Sequence, residues 1–309
     1  MSDVNAHRLA IIMPIFNGMP FLQEAVESVL SQSVASFHLY LVDDCSVDKS
    51  LDFIRSIVDP RISISQNPKN VGLYPSLTRA IQRCSEDWVC ILMQDDRLYP
   101  SYLAEMLDLI EKHSNIPLIW ATEDVVDESG ELLRPGKDTG REESILPGTE
   151  PWRNVLHSGC IWTISGSMTR RQLFQREPFR GDLPHRGDYE WFLRVIRQYE
   201  CLYYEKPLLA LRAHARQASA IHLEAAIDIR ETVQIFKDQF TRYNSDLSMG
   251  QALRIVTKYT RMIVRRVLRF MWHKNLSKAI MVCVDGCKLV GVLLTYKFCD
   301  SGAVEGSNS

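Results

Sequence analysis

The chain has 309 residues, 46% of them hydrophobic, enough to bury a full core as one large domain or one domain with an appendage. With 36 basic and 38 acidic residues it has no overall cationic field, which argues against general nucleic-acid binding. Its eight cysteines form neither a CxxC pair nor a zinc-type spacing, and the polar start Met1 to Arg8 has no apolar signal core, so the expected setting is the cytoplasm with reduced thiols.

In chain order, Leu9 to Phe16 is a continuous apolar run that stops at Asn17-Gly18, the pattern of a buried parallel strand and a turn. Helical periodicity follows from Phe21 to Gln32. Phe37 to Val42 forms a second strand ending at Asp43-Asp44, with Ser46 or Asp48 placed to cap a helix from Ser50 to Val58. A third strand, Ile62 to Gln66, leads through the loop Asn67 to Gly72 into a helix around Pro75 to Cys84. The fourth begins at Trp88 and stops at Asp95-Asp96, and Pro100 opens a helix from Ser101 to Lys112. Leu118 to Thr122 reads as another strand. Glu123 to Glu150, polar and rich in Gly, Pro and charge, reads as a mobile connection or lid. Cys160 to Met168 is apolar again, and Arg170 to Phe174 begins a short helix. Gly187 to Val195 carries a helical apolar face at Trp191, Phe192 and Val195, and Leu208 to Arg212 is a last strand. Strands alternating with helices predict an α/β fold: a doubly wound, mostly parallel sheet flanked by helices.

Ligands of such sheets bind beyond the carboxyl ends of the strands, where Asp95 and Asp96 fall. Two adjacent carboxylates repel unless a cation or donor-rich ligand neutralises them. Mg²⁺ or Mn²⁺ is commonly held by one or two carboxylates together with phosphate oxygens, so a nucleotide diphosphate is suggested, although a strand-end Asp-Asp also serves as a turn or helix cap. The chain contains no GxGxxG after its first strand, no GxxxxGK[ST] and no GxSxG. A bound phosphate would then be met by metal and side chains instead of a glycine-rich nest.

Six segments recur in order: Ile12-Met13-Pro14-Ile15-Phe16-Asn17; Val42-Asp43-Asp44-Cys45-Ser46-Val47-Asp48; Asn70-Val71-Gly72; Gln94-Asp95-Asp96 with Pro100; Gly187-Asp188 with Trp191 and Arg194; and Leu211-Arg212-Ala213-His214 with Gln217 and Ser219. Together, over about Leu9 to Ser219, they resemble family 2 of the glycosyltransferases, inverting enzymes with a GT-A fold. The resemblance implies a GT-A-like catalytic domain over residues 1–219, with a nucleotide-binding half at about 8–122 and an acceptor half at about 150–219; the helical pattern beyond it reads as a C-terminal extension over 220–309. It implies nucleotide contacts at Pro14, Phe16, Asn17, Asp44, Asn70, Gly72, Gln94, Asp95 and His214. It also implies a metal held through Asp96 with Asp95 and His214, and Asp188 as catalytic base. Three residues depart from the family pattern: Cys45 stands for a glycine, Met93 for the first acid of D-x-D-D, and Gly187 for the acid before the base. The departure at Met93 puts the expected metal contact mainly on Asp96.

The implied reaction transfers a sugar with inversion from a nucleotide-diphosphate donor, with UDP the expected nucleotide and Mg²⁺ or Mn²⁺ the cofactor. The acceptor hydroxyl belongs to a glycan or lipid-linked molecule in cell-surface polysaccharide or glycolipid synthesis. Two alternatives stay open. One is a catalytically degenerate GT-A module acting as a glycan-binding or assembly subunit, which Met93 and Gly187 favour. The other is a sugar nucleotidyltransferase, for which Asn17-Gly18 is a sparse triphosphate loop.

Beyond Ser219 the pattern changes. Ile221 to Tyr243 reads as a helix and Asn244 to Gly250 as a break. From Arg254 to Met271, the cations Arg254, Lys258, Arg261, Arg265 and Arg269 recur at helical spacing opposite Ile255, Tyr259, Met262, Ile263, Val267 and Phe270. Such a helix either packs on the protein with a solvated basic face or docks on anionic lipid, which would make the protein peripheral at the inner face of the cell membrane. Ala279 to Tyr296 contains Asp285 and Lys288 and is a poor bilayer span. The tail after Cys299 is expected to be disordered.

Overall fold

The computed structural model describes residues 9–147, 161–217, 227–243 and 249–300. These divide into two units: one contains the described residues up to 147 together with Ile161–His214, the other those from Ala215 onward. The predicted features at Met1 to Arg8, Glu150, Cys160, Ser219, Ile221 and the tail beyond Asp300 lie outside the described residues.

The first unit is a ten-stranded mixed sheet with helices packed on it. Its first half follows the apolar runs of the sequence. β1 (Leu9–Ile15) is buried along its whole length and lies between β2 (Phe37–Asp43) and β4 (Trp88–Ile91), with β3 (Ile62–Gln66) outside β2, all parallel. The crossovers are α1 (Leu22–Leu30), α2 (Ser50–Ser56) and α3 (Leu73–Arg83). In α1 the buried residues Leu22, Ala25, Val26 and Val29 recur at the three- and four-residue spacing that turns one stripe to the sheet.

The second half departs from the parallel plan. β5 (Arg97–Leu98) follows the acids directly, and α4 (Tyr102–Lys112) comes next. β6 (Leu118–Val126) and β10 (Cys201–Arg212) are parallel to each other, while β9 (Ser167–Arg170) lies antiparallel between β4 and β6. Passing through β9 reverses direction twice, so β6 and β10 run the same way as β1, β2 and β4. Their carboxyl ends therefore share one edge of the sheet.

The described part of the segment predicted from Glu123 to Glu150, residues 123–147, is not the structureless connection that its polarity predicts. β6 continues to Val126, and both β7 (Leu132–Arg134) on β6 and β8 (Glu142–Ile145) on β10 add to the sheet. β7 is exposed throughout, so its strand character leaves no apolar run in the sequence. Likewise the last strand begins at Cys201, seven residues before Leu208, because Glu205, Lys206 and Pro207 interrupt its apolar character. α5 (Arg171–Arg176) and α6 (Gly187–Gln198) complete this unit. Around them Trp162, Phe174, Phe179, Trp191 and Phe192 pack with ring centroids 5.0–5.3 Å apart.

Among the described residues the second unit holds three helices, α7 (Ile227–Tyr243), α8 (Met249–Trp272) and α9 (Leu276–Asp300). Ile229, Ile235 and Phe236 of α7, Ile255, Tyr259 and Ile263 of α8, and Ala279, Val282 and Leu289 of α9 are buried. α8 and α9 approach closely at Gly286, where an added Cβ would lie 2.7 Å from Ile263. Buried Asp228 is paired with Arg266, and Asp285 with Lys288. Among the described residues no helix is long and apolar enough to cross a membrane.

Candidate active site

Loops leaving the carboxyl ends of β1, β2 and β4 are tied to one another by backbone and side-chain hydrogen bonds. Asn17 takes the left-handed region at φ 51°, where a short polar side chain is tolerated, and its side-chain oxygen accepts from the Val47 amide at 2.9 Å. In return the Asn17 amide donates to Ser46 Oγ at 3.0 Å and the Gly18 amide to Ser50 Oγ at 2.8 Å. Gln94 clasps the same turn: the Phe16 amide donates to its Oε1 at 2.8 Å and its Nε2 donates to the Phe16 carbonyl at 3.0 Å. Gln94 is thus a clamp between strand ends. Phe16 is 42% exposed, whereas Pro14 is buried within β1 opposite Val42 and offers no surface to a ligand.

Asp44 is buried, and its carboxylate organises the 67–72 loop. It accepts from Asn67 Nδ2 at 2.8 Å, from the Val71 amide at 3.0 Å and from the Gly72 amide at 2.8 Å. Asn70 Oδ1 accepts a second bond from the Gly72 amide at 3.0 Å. Gly72 has φ 86°, a conformation that L side chains rarely adopt, and it leads directly into α3. Cys45, next to Asp44, also stands in left-handed backbone at φ 66°, the conformation for which a glycine is the ordinary choice.

The two acids after β4 have different surroundings. Asp96 is buried and accepts from the Arg212 amide at 2.9 Å, with Ser165 also bonded to it. Burial first, and then the charge of Asp95, push Asp96 up to about 8, so that it favours its neutral form. Asp95 is only partly buried, and its Oδ2 lies 3.0 Å from His214 Nε2. This pair joins residues 119 apart in sequence. Sequence reading put the metal mainly on Asp96. Asp96 is the more buried of the two acids and is bonded to the Arg212 amide, while a carboxylate oxygen of Asp95 and a ring nitrogen of His214 adjoin each other. Among the described residues no group of three or more His, Cys, Asp or Glu side chains is arranged to hold a metal ion.

Arg212, quoted above only as part of a motif, is the centre of this region. It is almost fully buried, donates to the carbonyls of Asp95, Asp127 and Glu128, pairs with Glu24, and lies 4.8 Å from the Phe21 ring centre. The His214 ring packs on Phe21 at 4.7 Å. A buried arginine at a strand end leaves no periodic mark in sequence, and only its place two residues before His214 pointed to it.

Asp188 sits in the first turn of α6, where helix amides favour a carboxylate; the Tyr189 amide donates to its Oδ1 at 2.7 Å. Burial raises its pKa above the usual carboxylate range, against the opposing effects of the Tyr189 amide, the Tyr74 hydroxyl and the charge of Arg186. Tyr74 lies two residues after Gly72, and its hydroxyl oxygen accepts from the Asp188 amide at 3.0 Å. Its ring also explains Gly187: a Cβ there would meet Tyr74 ring carbons at 2.5, 2.8 and 2.9 Å. Where the family pattern has an acidic side chain, this protein has a tyrosine from another element. Sequence spacing carries no signal of that contact.

A family model described as "Glycosyl transferase family 2" matches residues 10–177, more than half of the chain. The chain belongs to glycosyl transferase family 2. An uncharacterized glycosyltransferase of Haemophilus influenzae is 23% identical to this family 2 chain over 231 residues, 71% of this chain and 69% of that protein. Another, from Rickettsia conorii, is 25% identical over 221 residues, 68% of this chain but 35% of that longer protein. Among solved structures, residues 1-349 of S. aureus TarS in complex with UDP-GlcNAc superpose with a TM-score of 0.57 at 13% identity, covering 94% of this chain and 91% of that one. GalNAc-T7 with UDP, GalNAc and Mn²⁺ gives 0.56 at 14% identity, covering 78% and 50%. At these identities the likeness establishes the GT-A-like fold of this glycosyltransferase.

Proposed function

We propose that this family 2 glycosyltransferase transfers a sugar from a nucleoside-diphosphate donor to an acceptor hydroxyl with inversion at the anomeric carbon, Asp188 serving as the base. The observation that carries the reading is the meeting of Asp95 with His214 at the shared carboxyl edge of the sheet. The loops anchored by Gln94 and Asp44 leave the same edge, and α3 connects the second of them to Asp188 through Tyr74.

On this reading the exposed Phe16, Asn17 and the Asp44-ordered loop with Asn70 and Gly72 receive the nucleoside. UDP is supported as the nucleotide by the fold likeness to a protein in complex with UDP-GlcNAc and to another with UDP and Mn²⁺. One carboxylate oxygen and one imidazole nitrogen fit a Mg²⁺ or Mn²⁺ ion that takes its other ligands from diphosphate and water. Asp95 and His214 would hold it, and when bound it stabilises the charge that grows on the leaving diphosphate. Asp96, held by Arg212 and Ser165, fixes the direction of the chain at Asp95. Asp188 takes the proton of the attacking hydroxyl. Its raised pKa makes it a stronger base than an exposed aspartate, and the Tyr74 and Tyr189 contacts keep it oriented. The acceptor is a glycan or lipid-linked hydroxyl of cell-surface polysaccharide or glycolipid synthesis.

The test is nucleotide release across a panel of UDP- and GDP-sugars, with sugar acceptors added. Asp188→Asn should lose transfer while binding nucleotide with near-parental affinity. A variant transferring at the parent rate would remove Asp188 from its role. Nucleotide binding with no release or transfer from any donor by the parent protein would favour the degenerate module, the reading that Gly187 supports.

A further inference from the structure

In the helical unit, the apolar arc of α8 that would enter lipid on the simplest amphipathic reading is already used. Ile255, Tyr259 and Ile263 are buried, and Met262, Val267 and Phe270 are partly covered. A second apolar set stays outside. Val264, Leu268, Met271 and Trp272 near the end of α8, and Leu276, Ile280 and Val284 at the start of α9, are all exposed, Trp272 to 86%. They flank the interhelical turn, where Lys274 takes φ 56° and the Asn275 amide donates to the Phe270 carbonyl at 2.8 Å. So much large apolar surface at one hairpin end is more than scattered surface hydrophobes account for.

The charge around this end has one sign. From Met249 to Val284 there are eight Lys and Arg residues and no Asp or Glu, in a chain whose overall charge is -2. Arg266 is drawn inward to Asp228, while Arg254, Arg261, Arg265, Arg269 and Lys274 are exposed. On α8 the exposed apolar residues Val264, Leu268 and Met271 fall on a stripe at spacings of four and three, and Arg261, Arg265 and Arg269 follow a parallel one.

We infer that the α8–α9 hairpin end is a membrane-surface anchor: Leu268, Met271, Trp272, Leu276 and Ile280 enter the headgroup and upper acyl region of an anionic bilayer, and Arg261, Arg265, Arg269 and Lys274 engage its phosphates. An amphipathic surface with an apolar stripe, an exposed Trp and flanking cations has the chemistry of an interfacial helix, and each cation near an anionic leaflet adds attraction. Pairing of the same face with a second copy of the chain would set these cations against one another across a two-fold axis with no acid between them, which disfavours self-association. The anchor does not depend on the catalytic reading of Asp188.

The experiment is flotation of the full chain with vesicles of phosphatidylcholine alone or with about one-third phosphatidylglycerol, with circular dichroism to verify folding. The parent should float with the anionic vesicles and stay behind with the neutral ones. R261E/R265E/R269E should lose at least tenfold in partitioning. L268S/W272S should also lose binding and should shift the quenching of tryptophan by lipid-borne bromine. Soluble parent protein with both compositions, or variants that float like the parent, would overturn the inference. So would a dimer in light scattering that the L268S/W272S change dissociates. UDP-sugar hydrolysis measured without vesicles should be unchanged in both variants, which separates failure of the anchor from failure of the transferase reading.

Discussion

Replacing Tyr74 by Phe removes one oxygen from beside Asp188 and keeps the ring that fills the space at Gly187. In the parent that oxygen accepts from the Asp188 amide at 3.0 Å and the hydroxyl bonds to the carboxylate of a buried side chain. A hydrogen bond to a charged group is worth about 1.5–3 kcal/mol, and about 1.4 kcal/mol is tenfold in rate, so kcat should fall roughly ten- to hundredfold where the base is only partly ionised. The sign of the pH effect follows from the ionised form being the base. Burial already raises Asp188, and the Tyr74 bond works against that rise; without it the pKa goes higher still. The acidic limb of kcat/KM therefore moves to higher pH, and the deficit shrinks as pH increases. Donor KM should hardly move, because the ring and the Asp44-bound loop remain. Coupled nucleotide-release kinetics from pH 5 to 9 measures all of this. A loss equal at every pH, or an unmoved acidic limb, would refute the idea that Tyr74 acts through the Asp188 carboxylate.

Other perturbations test neighbouring claims. Gly187→Ala forces a methyl group into the Tyr74 ring and should cost about 1–3 kcal/mol in a denaturant melt; pairing it with Tyr74→Leu should recover part of that. Asp44→Asn turns a donor toward the amides of Val71 and Gly72, and with about 1–3 kcal/mol at stake for each group left unsatisfied, calorimetric UDP affinity should fall at least tenfold. Asp95→Asn and His214→Ala should each abolish the Mn²⁺ dependence of UDP binding, whereas Asp96→Asn should chiefly lower the melting temperature; the opposite pattern would return the metal to Asp96. Cys45→Gly should stabilise the protein by about 1 kcal/mol in the same melts by relieving left-handed backbone.

How much of this was legible in sequence depended on whether a residue's neighbours were local. Leu9 to Ile15 and Trp88 to Ile91 announce themselves because both faces of a central parallel strand are buried, which leaves unbroken apolar runs. Leu132–Arg134 has neither face buried, and Arg97–Leu98 is too short to show a period, so both strands are set by pairing partners far away in the chain. The strand-end acids were visible for the same reason as their strands. Which of Asp95 and Asp96 is buried was not, since Asp96 is held by the Arg212 amide and Ser165, more than sixty residues further on. Family resemblance points to Asp188, but the Tyr74 hydroxyl bonded to its amide belongs to a contact between α3 and α6 that no spacing encodes.

The left-handed residue beside Asp44 has one more consequence. A glycine there would be chemically silent, but the half-buried Cys45 places a thiol beside Asp44 at the proposed nucleoside cradle, while Cys84, Cys90 and Cys201 are buried in the same unit. With Cys160, Cys283, Cys287 and Cys299 replaced, Cys45 would turn this departure from the family pattern into a chemical reporter, its rate of reaction with a thiol-directed fluorophore slowing as donor fills the cradle.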